Sequence, residues 1–237
     1  MKIQVIFDGS ASKTDLLIGW GFSCLIDGRI LFDTGENGEW LIHNMQQTGI
    51  DINEIQSVVI SHDHWDHTGG LWKILQLRKN LAVYACPGFT RSFKKKVRQF
   101  GGQIFENDHL TEISKDVFVT DEIRATYKQE PMPEQSIILK SKNGISIITG
   151  CAHPGIIEII ERAKKNFPEE KIYLVMGGFH LIETDTRIIE TIAKQLKNLQ
   201  IAKIGPCHCS GKKAEDIFRK TFKKNFVSIS AGSTILV

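Results

Sequence analysis

Short runs of β-branched and apolar residues recur along the chain, separated by turn formers or by longer amphipathic stretches. The runs Ile3–Phe7, Phe22–Ile26, Ile30–Phe32, Ser57–Ile60, Ala82–Ala85, Ile137–Leu139, Ile145–Thr149, Ile172–Val175, Ile201–Ile204 and Ile235–Val237 read as strands. Between them, Gly38–Thr48, Gly69–Leu77, Ile156–Asn166, Thr186–Leu199 and Lys213–Asn225 place Leu or Ile among Lys and Glu at helical spacing, the pattern of helices with one buried face. The order passes twice from paired strands into strand–helix alternation. Two sheets with helices on their outer faces bury every apolar stripe, so the pattern predicts a layered α/β sandwich. No linker or low-complexity segment interrupts it, and residues 1–237 read as a single domain, with Lys128–Glu134 (KQEPMPE) a loop.

Charge narrows the partners. With 30 Lys and Arg against 27 Asp and Glu, the net charge of +3 is too mild to call for nucleic acid or an acidic membrane. The basic clusters Arg91–Arg98 (RSFKKKVR) and Arg219–Lys224 (RKTFKK) carry Phe at helical spacing, as solvated helix faces over a buried ring do. No run approaches the roughly 18 apolar residues of a membrane span. Gln4 and Asp8 break up Met1–Gly9, which lacks the apolar segment of a secretory signal and reads as a first strand. Five scattered cysteines fit reduced thiols and a cytoplasmic location better than a disulfide scaffold. Nothing in the pattern fixes an oligomeric state.

Chemistry concentrates in Ser61–Gly70 (SHDHWDHTGG), directly after the strand run Ser57–Ile60. His62, His64, Asp66 and His67 place four ligand-type side chains within six residues. On an extended segment His62, His64 and Asp66 fall to one side, and a turn brings His67 back. Imidazoles suit zinc or iron and the carboxylate adds a harder, charge-neutralising oxygen, so the cluster predicts a metal site.

This His-x-His-x-Asp-His run resembles the signature of the metallo-β-lactamase superfamily, whose fold is a four-layer αβ/βα sandwich with a dinuclear site at one edge. The resemblance implies one or two zinc ions, with iron or manganese as alternatives. Asp33-Thr34-Gly35, about thirty residues earlier, looks like the superfamily's aspartate turn, which orients metal-bound imidazoles.

Members usually add a His from a Gly-His-Thr-Pro-Gly-Ser stretch and a bridging Asp from a Thr-Gly-Asp turn. Matching Ser136 and Thr149-Gly150 to these puts Met132 where the His belongs and Cys151 where the Asp belongs. His153, two residues on, is expected to replace the missing imidazole. Cys151 is either a thiolate between the cations or a structural thiol, and Glu134 is a candidate for pointing inward to hold a ligand or water. The superfamily's last ligand comes from a strand end and carries over to His208 in Cys207-His208-Cys209, where alternation predicts that both thiols face away from it. The expected sets are His62, His64 and His153 for one cation, and Asp66, His67 and His208 for the other.

Thr149–Gly155 (TGCAHPG), Gly177–Leu181 (GGFHL) and Pro206–Gly211 (PCHCSG) are similar to the subgroup named for 7,8-dihydropterin-6-methyl-4-(β-D-ribofuranosyl)aminobenzene-5′-phosphate synthase. The helix after Leu181, N-capped by Thr184 or Asp185, would present free N–H groups to an anion. His180 is read as a contact to substrate phosphate or a proton donor. The leading expectation is a hydrolase of a small phosphate-containing or pterin-like molecule, with metal-activated water as nucleophile and Asp66 as ligand and water-positioning base. The alternatives are pterin–arylamine transfer with loss of diphosphate, and a non-catalytic metal- or ligand-binding protein.

Overall fold

The computed structural model describes all residues from Met1 to Val237. Its first half runs β1 (Lys2–Phe7), β2 (Ser23–Ile26), β3 (Ile30–Phe32), α1 (Gly38–Gln47), β4 (Ser57–Val59), α2 (Trp65–Thr68), α3 (Leu71–Leu77), β5 (Ala82–Ala85), α4 (Arg91–Gln99) and β6 (Gln103–Glu106). The second half runs β7 (Thr111–Ser114), β8 (Val117–Val119), β9 (Thr126–Tyr127), β10 (Glu130–Pro131), β11 (Ile137–Ser141), β12 (Gly144–Thr149), α5 (Ile156–Asn166), β13 (Ile172–Gly178), α6 (Thr186–Asn198), β14 (Lys203–Cys207), α7 (Gly211–Phe222) and β15 (Thr234–Leu236).

One sheet has the order β15-β1-β2-β3-β4-β5-β6 and the other β14-β13-β12-β11-β8-β7. Strand alternation divides their side chains between three cores. Val59, Phe32, Cys24, Ile148, Leu174 and Cys207 meet between the sheets. Leu31, Val58 and Val83 face Leu41, Ile74 and Phe93 of the helices outside the first sheet, and Ile138, Ile147 and Val175 face Ile160, Ile189 and Phe218 outside the second. The result is the expected four-layer αβ/βα sandwich.

Both basic clusters behave as read from the sequence. On α4 only Phe93 and Val97 are buried, and on α7 the rings of Phe218 and Phe222 go inward. Three expectations are corrected. The helix expected over Lys213–Asn225 begins at Gly211 and stops at Phe222, because Lys223 turns left-handed with φ 52°. The segment Lys128–Glu134 is not wholly loop, since Glu130 and Pro131 pair with Tyr127 and Thr126 in a small hairpin. The strand read as Ile201–Ile204 runs instead from Lys203 to Cys207. No helix is long and apolar enough to cross a membrane.

Parallel pairing of β3 with β4, of β12 with β13 and of β13 with β14 sends their C-terminal ends to one edge of the sandwich. In open α/β sheets that edge is where ligand-binding residues collect.

Candidate metal centre

Asp33, Ser61–His67, Thr149–His153, Gly178–His180 and Cys207–Cys209 all lie at or just past such strand ends. Four non-glycine residues there hold left-handed backbone: Asp33 (φ 52°), Ala152 (φ 59°), His180 (φ 52°) and His208 (φ 50°). Conformations of this kind are sparsely populated and persist where the surrounding structure over-determines them.

The donor atoms of His62, His64 and His153 lie within 4.8 Å of one another, as do those of Asp66, His67 and His208. These are the two sets expected from the sequence. Cys151 joins them at the middle, grouped with His62 and His67, its Sγ 3.3 Å from Nε2 of His67. Met132 stands apart in the hairpin region, its N–H donating to Ala125 O.

Buried carboxylates fix the imidazoles. Asp33 Oδ2 lies 2.7 Å from Nδ1 of His67 and accepts the Ser61 hydroxyl, while Asp33 Oδ1 accepts the Ser61 N–H. The Ser61 hydroxyl is also 2.8 Å from Nδ1 of His62. Glu134 accepts N–H groups from Cys151, Ala152 and His153 and lies 3.0 Å from His153 Nδ1, so it points inward and holds a ring. Its neighbour Gln135 donates to the carbonyls of Ile60 and Tyr84, tying the Glu134 segment to the end of β4.

The electrostatics suit a cation. Burial, then the neighbouring imidazoles, pull His62 well below its ordinary value; His64 falls to about 4 for the same reasons. Burial opposes charge on His67 too, but Asp33 and Asp66 outweigh it and hold that imidazole well above its ordinary value. Asp66 stays below the usual carboxylate range, because His208 and His67 outweigh its burial. Asp8, buried beneath the last turn, accepts the His208 N–H and is pushed up to about 6 by burial, against the lowering effects of Ser10 and His208.

Whether these residues fit a metal can be tested on their unpaired atoms. Nε2 of His153, Nε2 of His208 and Nδ1 of His180 are buried without a hydrogen-bond partner. His208 Nε2 is 3.3 Å from Asp66 Oδ2 but out of line for a hydrogen bond. Around a tetrahedral ion with bonds of about 2.0–2.1 Å, ligand atoms are about 3.3–3.4 Å apart. His62 and His64 nitrogens at 3.1 Å, and Asp66 and His67 atoms at 3.4 Å, are spaced accordingly. The donor set fits.

One further expectation is corrected: Cys209 does not face away from His208. After Cys207 the chain leaves extended backbone for a 3-10 turn, alternation ends, and Sγ of Cys209 comes within 4.8 Å of the donor atoms of both Cys151 and His208. Ser61, Gln135 and Asp8 were not legible as site residues. Their only signal is position, each lying beside a ligand segment or at a strand end on the site edge.

Aromatic side chains flank the two triads. Trp20, 43% exposed, has its ring 5.0 Å from that of His208. Tyr127 of the hairpin lies 5.0, 5.4 and 5.5 Å from the rings of His64, His153 and His180.

The sequence matches the profile of the Metallo-beta-lactamase superfamily over residues 22–207, and the chain belongs to that superfamily. It is similar to the 7,8-dihydropterin-6-methyl-4-(beta-D-ribofuranosyl)-aminobenzene-5'-phosphate synthase of Methanocaldococcus jannaschii, with 29% identity covering 89% of this chain and 85% of the relative. An uncharacterized protein of the same organism is also 29% identical, over 98% of this chain and 99% of its own length. Among solved structures, Tm1679, a metal-dependent hydrolase of the beta-lactamase superfamily, aligns with a TM-score of 0.84 and 28% identity over 100% of this chain and 99% of its own.

Proposed function

We propose that this chain is a metal-dependent hydrolase acting on a small phosphate-containing or pterin-like molecule, built as one domain and holding one or two ions, zinc foremost, with iron or manganese as alternatives. The observation that carries it is the pair of donor triads, His62–His64–His153 and Asp66–His67–His208, meeting at Cys151. Likeness over the full chain to Tm1679 supports the reading. When bound, the cations polarise a phosphoryl or ester oxygen and lower the pKa of water towards about 7.

The chain's own residues do the rest. His62 and His64, kept neutral by burial, offer lone pairs at neutral pH. Asp66 stays charged, as a ligand and as the acceptor that orients the attacking water. Asp33 and Glu134 lock the rings of His67 and His153. His180, half-buried with its ring 4.6 Å from that of His153, is held above its ordinary pKa by the ionised sulfur of Cys209, which suits donation of a proton to a leaving oxygen. Trp20 and Tyr127 offer faces to a planar ring.

Transfer is the second reading, favoured by the similarity to the synthase of Methanocaldococcus jannaschii. Zinc-loaded protein assayed on phosphodiesters, and on a pterin diphosphate with and without an arylamine, separates the two. Hydrolysis that needs no arylamine and falls about 10²-fold or more in Asp66→Asn supports the hydrolase. Turnover seen only with the arylamine supports transfer, and neither activity at any metal loading supports a binding protein.

A further inference from the structure

The thiol of Cys209 and the imidazole of His180 have no part in either donor triad, yet both converge on Cys151. Donor atoms of Cys151, His153 and His180 lie within 4.8 Å of one another, and so do those of Cys151, His208 and Cys209. This convergence is unexpected from topology. Cys151 lies two residues past Thr149 of β12 and Cys209 two past Cys207 of β14, with β13 between them, so the two chains are separated by about 10 Å of backbone at strand spacing.

Two features bring the sulfurs together. The intervening strand ends in glycines: Gly177 pairs with Thr149, and Gly178 with Cys207. A Cβ on Gly178 would collide with the Gly150 carbonyl and sit 2.6 Å from the Cys209 sulfur. Left-handed turns at Ala152, His180 and His208 then curl all three chain ends over that gap. Backbone bonds clasp the turns, since N–H groups of Leu181 and Ile182 both donate to Cys209 O, and Phe179 N–H donates to Ser210 Oγ. Nδ1 of His180 and Nε2 of His208 remain buried without partners.

We propose that Cys151 and Cys209, at the flank of His208, form a sulfur-rich cation position that takes a thiophilic ion such as zinc or cadmium. This rests on the metal-centre reading above. Paired thiolates select soft ions over magnesium, calcium or manganese. Of the remaining cysteines, Cys24 and Cys207 are buried in the core between the sheets and Cys86 in the core beside the first sheet, and none belongs to a group of metal-donor side chains.

The test is X-ray absorption at the cadmium edge on the full-length protein carrying one equivalent of Cd²⁺, alongside Cys209→Ser and Cys207→Ala. Two sulfurs per cadmium are expected in the wild type and in Cys207→Ala, and one in Cys209→Ser. Should Cys209→Ser not fold, the count in Cys207→Ala decides, because that variant removes the pair that Cys207 could form with Cys24. Cadmium bound through nitrogen and oxygen with one sulfur or none overturns the proposal and leaves the metal-centre reading standing. Failure to retain any cadmium overturns both.

Discussion

A single carboxylate oxygen of Glu134, Oε2, accepts the backbone N–H of His153 and lies 3.0 Å from Nδ1 of the same residue, while Oε1 accepts the N–H groups of Cys151 and Ala152. One buried side chain thus sets both the turn and the ring that the turn carries. Burial alone would push Glu134 up, but its bonds with His153 outweigh that and keep it charged, below its ordinary value.

Glu134→Gln keeps an acceptor and loses the charge, so metal affinity should fall about 10–100-fold with the fold intact. Glu134→Ala leaves three N–H groups unpaired, each costing about 1–3 kcal/mol if it stays buried, and its melting temperature should fall further. Chelator competition and thermal melts read the two effects separately. Unchanged affinity in Glu134→Gln would mean that His153 is not a ligand held by this contact.

The register across the substituted turn makes a second prediction. His153→Ala should lose metal, because it removes one member of the His62–His64–His153 triad, while Met132→Ala should keep it. Elemental analysis of both purified variants checks this, and equal loss in the two would reject the alignment.

A pH-dependent effect follows from Asp8. Its folded pKa of about 6 lies above its ordinary 3.8, so between these values the folded state binds the extra proton and stability falls as pH rises. The difference of about 2 units corresponds to about 3 kcal/mol. Asp8→Asn retains an acceptor for the His208 N–H and lacks the titration. Relative to wild type, the metal-free variant should therefore gain stability across pH 4 to 7, levelling off above. Urea unfolding at a series of pH values measures it; parallel curves for the two proteins would contradict it.

Much of this was legible in the sequence for identifiable reasons. Core strands such as β4 and β12 are buried on both faces, so their apolar runs stand out. Both donor triads could be placed because the His-x-His-x-Asp-His run is compact in sequence and the superfamily resemblance carried the remaining positions over to His153 and His208. β8 (VFV) was missed because it is only three residues long, although both its valines are buried, and the other elements that escaped notice had weak local signals. β6 (QIFE) and β7 (TEIS) are edge strands with little burial and therefore little apolar demand. The β9–β10 hairpin is polar and contains Pro131, which is compatible with an isolated pair and reads as loop. Cys209 was misplaced because period-two reasoning was carried two residues past the end of β14, into a turn where His208 has φ 50°.

The central claim is that the two triads hold metal. Elemental analysis of the purified wild type and of the double variant His62→Ala/His64→Ala tests it most directly. The account predicts one to two equivalents of zinc, iron or manganese in the wild type and most of it lost in the double variant, because two of about four ligands are removed from one position. Metal content unchanged by the double substitution would contradict it.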